Sequence, residues 1–148
     1  MSVGDARHAL DMVKSDFVSE TIAAQTFWLG NFLSIPKSDQ ESVYLLPAFD
    51  EFIISYKDRS ASLPSENHTK TVSNNGIFRP VIVVNGQVTG IWKRTIQKDM
   101  VTVETDLFKQ PNQTTKRLIE QARTRFGRFL EKETRVMLGR EEPLKNTI

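Results

Sequence analysis

Gly76-Ile-Phe-Arg-Pro-Val-Ile-Val-Val-Asn-Gly-Gln-Val-Thr-Gly-Ile-Trp-Lys-Arg94 decides the fold. Asn85-Gly86 between two runs rich in β-branched residues marks a two-residue hairpin, because both central turn positions need a positive φ. With that dipeptide at the turn, Val83 faces Val88, Val81 faces Gly90 and Arg79 faces Trp92. A second turn near Lys98-Asp99 places Ile96 beside Val101, Arg94 beside Val103 and Lys93 beside Glu104. Val81, Val83, Val88, Trp92, Ile96, Val101 and Val103 are then expected to share one face, the core. Ile82, Val84 and Ile91 on the other side also require cover, so a curled sheet or partial barrel contacted on both faces is expected.

Working outward, residues 2–15 predict a helix, with Ser2 as N-cap, Asp5 in the first turn and an apolar stripe of Ala6, Ala9, Leu10 and Val13. Residues 17–21 and 25–29 alternate as two short strands around Ala23-Ala24. A helix followed by a hairpin is the second half of a winged helix, whose two preceding helices are not in this sequence. Residues 31–42, with Pro36, predict a linker, 44–46 a short strand stopped by Pro47, and 49–57 a helix with Phe49, Phe52, Ile53 and Tyr56 at helical spacing. The polar stretch 60–75 predicts a mobile surface loop. Residues 114–133 give the clearest helix, with Leu118, Ile119, Ala122, Phe126, Phe129 and Leu130 in one apolar arc and Arg117, Arg128 and Arg135 nearly in line opposite. The domain reading is a helix plus wing hairpin over 1–35, a barrel-like meander with flanking helices over 43–133, and a flexible tail over 134–148 with a short strand at Val136-Met-Leu.

At 148 residues and 39% apolar content the chain holds one ordinary core. No apolar run approaches a membrane span, and the N-terminal region has no signal-peptide pattern, so a cytoplasmic address is expected. With no cysteine and two separated histidines, His8 and His68, neither a metal nor another cofactor is expected. The net charge of +2 names no partner, but its distribution does. Arg79, Lys93, Arg94 and Lys98 lie in a stretch with no acid between 76 and 98, and Lys116, Arg117, Arg123, Arg125, Arg128 and Lys132 crowd the last helix.

The meander motif and Leu45-Leu-Pro-Ala-Phe-Asp-Glu-Phe-Ile-Ile-Ser-Tyr-Lys-Asp-Arg59, in this order, resemble the bacterial winged-helix DNA-binding-domain proteins, which include the AlkZ-like DNA glycosylases. The resemblance runs over about 2–130 and is to the C-terminal part of such proteins. It implies a concave DNA surface, double-stranded DNA as partner, and packing against an N-terminal winged-helix region of the same protein. The family's catalytic Gln-apolar-Gln triplet is not found in this sequence, so the chain is expected not to be an enzyme and no catalytic residue is carried over.

For DNA contact the candidates are Arg79, Lys93, Arg94, Trp92, Arg117 and Arg128, cations for phosphates and an indole able to stack or wedge. Against this, the register points Trp92 at the core, pairs Lys93 with Glu104, and leaves Arg94 on an apolar face in need of a carboxylate such as Asp50 or Asp58. Asp50 and Glu51 point about 100° apart on a helix and form no facing acid pair, so Asp50 is expected to cap its helix or to pair with Arg59. His8, with Arg7, Asp11 and Lys14, lies on a polar helix face. The expected fold is α+β: half a winged helix, then a curled antiparallel sheet or partial barrel flanked by helices. The expected function is duplex-DNA binding within a DNA-repair glycosylase relative. The alternative is a protein or intramolecular interaction module that meets no DNA.

Overall fold

The computed structural model describes residues 2–22, 24–30 and 41–138. The chain divides into two compact units, Met1–Asp39 and Gln40–Ile148. The expected linker falls mostly outside the described residues, as does the tail beyond 138.

In the first unit, helix α1 (Val3–Val13) starts at a capping box. The Ser2 hydroxyl accepts the Asp5 N–H at 3.1 Å, and the Asp5 carboxylate accepts the Ser2 N–H at 2.8 Å. The Ser2 backbone N–H, and after it the Ser2 side chain, hold the Asp5 carboxyl below its ordinary range. Strands β1 (Phe17–Ile22) and β2 (Gln25–Gly30) form an antiparallel hairpin in which Val18 faces Leu29 and Glu20 faces Phe27. None of the described residues in this unit is buried, including the expected apolar stripe of α1.

The second unit is a five-stranded curled sheet whose spatial order, β3-β4-β5-β6-β7, follows the chain. Strands β3 (Val43–Leu46), β4 (Val81–Val84), β5 (Gln87–Ile96) and β6 (Met100–Leu107) are antiparallel. Helix α4 (Gln113–Phe129) then crosses to β7 (Glu133–Leu138), which pairs parallel to β6. The strand expected at Val136-Met-Leu thus begins at Glu133, and Arg135 lies in it rather than in line with Arg117 and Arg128 on the helix. The curled antiparallel sheet flanked by helices is as expected, and β7 adds a parallel strand at its edge, because a strand returning through a helix runs parallel.

The β5–β6 register agrees with the sequence, with Lys93 opposite Glu104, Arg94 opposite Val103 and Ile96 opposite Val101. In the β4–β5 hairpin Val83 faces Val88 as expected, but Ile82 faces Gly90 and Val81 faces Ile91. Thr89 is the extra residue, a β-bulge that reverses the facing of β5 beyond it. The expected single core face therefore splits in two. Ile82, Trp92, Val101 and Val103 pack with Val43 and with Ile119 and Ala122 of α4, whereas Val81, Val83 and Val88 pack on the other side with Ile53 and Leu63. Ile96 and Phe129, expected inside, are exposed. Gly90 sits where a Cβ would lie 2.5 Å from the Asp106 carbonyl oxygen, so β5 and β6 approach only across a glycine.

Helix α2 (Glu51–Ile54) is shorter than the nine residues expected, and Ile53 is its one buried residue. The stretch expected as a mobile loop is packed. It holds helix α3 (His68–Thr71), buries Leu63, Asn67, Thr71 and Val72, and is fastened to the sheet by the Val88 N–H on the Ser62 carbonyl at 2.7 Å and the Arg79 N–H on the Thr71 carbonyl at 3.0 Å. Few apolar residues sufficed because the backbone groups found partners in the hairpin.

Candidate functional site

Helix α4 places the densest group of cations. Its N-cap Asn112 accepts the Thr115 N–H at 2.7 Å, and Glu41, just ahead of β3, accepts from the Asn112 amide at 3.1 Å and the Thr115 hydroxyl at 3.0 Å. An acid at a helix N-terminus is also favoured by the helix dipole. With Ile119 and Ala122 turned to the sheet, the 3.6-residue period turns the opposite face outward. There Arg117, Glu120, Gln121, Thr124, Arg125 and Arg128 line an open groove of about 410 Å³. Arg125 also donates to the Val43 carbonyl at 3.3 Å.

Sequence reading counted Arg123 with the basic surface, but its side chain is buried, 1% exposed. One terminal nitrogen donates to Glu120, the other to the Thr105 hydroxyl, and its Nε has no partner among the described residues. Arg123 thereby neutralises, from beneath, the one acid of the groove. The helical period did carry the signal: Arg123 stands four residues after Ile119 and next to Ala122, on the sheet-facing arc, where a cation has to find buried partners.

The cations of the hairpins do not join one patch. Arg94 lies on the α4 side of the sheet, its guanidinium 5.9 Å from the ring centres of both Trp92 and Phe126. Neither Asp50 nor Asp58 pairs with it, which corrects that expectation: the aromatic faces attract the cation instead. Lys93 points to the other side and pairs with Glu104 at 3.0 Å. Arg79 is exposed ahead of β4. Trp92 is 4% exposed, donates its indole N–H to the Leu46 carbonyl at 2.7 Å and meets Phe126 edge to face. It is a core residue and is withdrawn from the DNA-facing set. Among the described residues none of Arg79, Arg94, Arg117 and Arg128 pairs with a carboxylate.

Asp50 caps α2, accepting the Phe52 N–H at 3.0 Å. Its expected ion pair with Arg59 is not formed: Arg59 donates Nε to the Ile53 carbonyl at 2.5 Å and Nη1 to the Lys57 carbonyl at 3.3 Å, and stacks on Phe78. Asp58 accepts the Ser60 N–H at 2.9 Å, and that bond holds its carboxyl below the ordinary range. On the first unit Lys14 pairs with Asp11 and lies over Trp28, while His8 is exposed.

A curled sheet carrying a helix with an outward arginine face defines an α+β module with a cationic surface. The sequence profile of the DNA glycosylase AlkZ-like family matches residues 1–129, and the chain belongs to that family. Among solved structures, the DNA glycosylase AlkZ of Streptomyces sahachiroi is similar in fold, with a TM-score of 0.65 at 16% identity. The match covers 93% of this chain and 38% of that one, so this chain spans well under half the length of the protein it resembles. No curated protein matches it. Family membership overturns the expectation that the chain is not an enzyme. That expectation rested on one missing triplet, whereas the family match to a glycosylase runs through residue 129. No helix among the described residues is long and apolar enough to cross a membrane.

Proposed function

We propose that this protein acts in DNA repair by base excision, and that the region described here docks duplex DNA on the outward face of α4. The observation that carries this reading is the arginine groove, with Arg117, Arg125 and Arg128 at its walls and its only acid engaged by Arg123. Eleven residues separate Arg117 from Arg128, about 16 Å along a helix, which spans several phosphates of one strand at about 3.4 Å of axis each. Arg94, packed against Phe126 on the sheet-facing side of α4, lies off that groove; Arg94, Lys93 and Arg79 are secondary contacts. The helix and hairpin of the first unit fit the second half of a winged helix packed against an upstream region of the same protein. The exposure of Val18, Ile22 and Phe27, 52%, 55% and 45%, supports that partner.

The test is binding to undamaged duplex by anisotropy across a salt series. Three phosphate contacts give a log–log slope of about −2.7, or about 40-fold weaker binding at 200 than at 50 mM salt. Replacing Arg117, Arg125 and Arg128 together by alanine should remove that slope. Absent or salt-independent binding would favour the protein-interaction alternative, and a salt slope untouched by the triple variant would move the DNA contact off α4. Base release from alkylated duplex is the expected enzymatic readout, and its failure at saturating DNA removes the glycosylase half of the reading.

A further inference from the structure

Phe49 adopts a left-handed backbone conformation, φ 58°, which crowds a bulky L-residue. The three other non-glycine residues with positive φ stand where the chain has to reverse. Ala24 turns β1 into β2, Asn85 turns β4 into β5, and Glu131 follows the end of α4. Phe49 likewise stands in a turn, the one between β3 and the N-cap of α2, where a glycine would hold the same conformation without crowding a side chain. Burial does not compensate, since the residue is 54% exposed.

Its surroundings are aromatic and cationic. The ring centre lies 6.0 Å from that of Phe78, and the Arg59 guanidinium lies 5.1 Å over the Phe78 ring. Two backbone carbonyls fix the guanidinium through Nε and Nη1. Its Nη2 makes no hydrogen bond among the described residues. The nearby acids are engaged locally: Asp50 and Asp58 accept backbone N–H groups and Glu51 accepts the Ser55 hydroxyl.

We infer that Phe49, Phe78 and Arg59 form a stacking platform for an unpaired nucleobase, with Arg59 meeting an adjacent phosphate. This deepens the DNA-docking reading and rests on it. An exposed ring offers a π-face to any base, and a fixed guanidinium offers donors to the phosphate beside it. A protein segment would offer Arg59 a neutral backbone carbonyl, whereas a nucleotide brings an anionic acceptor beside its own π-face, so a nucleotide matches the ring and the guanidinium together better.

Two probes separate the possibilities: a fully paired duplex, and the same duplex carrying one extrahelical 2-aminopurine. The intact chain should bind the bulged duplex more tightly and quench its fluorescence. Phe49→Gly should weaken bulged-duplex binding about 5- to 100-fold, abolish the quench, and leave the paired duplex within about twofold. Its melting temperature should hold or rise, since glycine relieves the left-handed strain, and this separates loss of the ring from loss of the fold. Equal binding of both duplexes by the intact chain, or a bulge preference that Phe49→Gly retains, overturns the platform alone and leaves the α4 groove standing. Binding of the bulged duplex with none of the paired one removes the groove reading and leaves the platform. An unchanged DNA profile in Phe49→Gly, with loss of a protein partner, reassigns the surface to protein docking.

Discussion

Exchanging Arg123 for methionine, together with Thr105 for valine, should make the protein more stable and its DNA binding weaker. The guanidinium is 1% exposed and its Nε is unpartnered, a desolvation cost of about 1–3 kcal/mol. Replacing a buried ion by an apolar side chain of similar volume is neutral or stabilising by roughly 1–4 kcal/mol. Thr105 is 9% exposed and would be orphaned by the single exchange, at about 1 kcal/mol, so valine removes that debt. Because Glu120 is 44% exposed, water already screens the ion pair and the gain lies near the low end, about 1–2 kcal/mol. Urea titration should show a raised midpoint at unchanged slope, and thermal melting a rise of about 2–4 °C per kcal/mol. The cost falls on the groove, where Glu120 loses its counter-ion and turns to Arg117 one turn away. The salt slope for duplex DNA should shrink by about 0.9, one phosphate contact, and Glu120→Gln should restore it. A double variant less stable by more than about 1 kcal/mol at unchanged urea slope would refute the burial argument. Unchanged DNA affinity would refute the claim that Arg123 silences Glu120.

Two further exchanges probe the backbone. Gly90→Ala forces a Cβ to within 2.5 Å of the Asp106 carbonyl and 3.0 Å of Leu107, with β-strand backbone unable to yield cheaply; a loss of about 1–3 kcal/mol is expected in urea unfolding. Glu131→Gly should instead stabilise by about 1 kcal/mol, because Glu131 occupies the left-handed position (φ 54°) after α4, where its N–H meets the Arg128 carbonyl at 3.0 Å and the Lys132 N–H meets that of Gly127 at 3.0 Å. A melting temperature that does not rise would show that the Glu131 side chain offsets its backbone strain.

The sequence was legible wherever one local rule acted alone. Asn85-Gly86 located the hairpin, the Ser2-Asp5 box started α1, and the regular alternation of β5 and β6 gave their pairing beyond Gly90. The strict period failed at Thr89, since a bulge leaves no mark in hydrophobic alternation, so Trp92, Val101 and Val103 were expected on the face of Val81, Val83 and Val88 and lie on the opposite one with Ile82. The stretch 60–75 looked too polar to pack because backbone hydrogen bonding, which holds it, is invisible in composition. At the candidate site the outward arginines of α4 followed from the helical period. Trp92 followed the register inward rather than the chemistry of its neighbours, and Arg59 chose carbonyls and a ring over a carboxylate. The left-handed backbone of Phe49 has no sequence signature at all.

The sheet's spatial order, identical with its order along the chain, bears on how the second unit assembles. Hairpins can zip in turn from β3 to β6, each closing onto the strand already laid down, except that β3 must await the long return to β4. The parallel seam between β6 and β7 closes only after α4 has bridged it; like the still longer return from β3 to β4 it is a non-local pairing, and such pairings are intrinsically slow. Until that seam closes, β6, with Val101 and Val103 buried in its strand, offers an open rim, so the refolding rate should respond to changes in α4 and β7 as well as in β3.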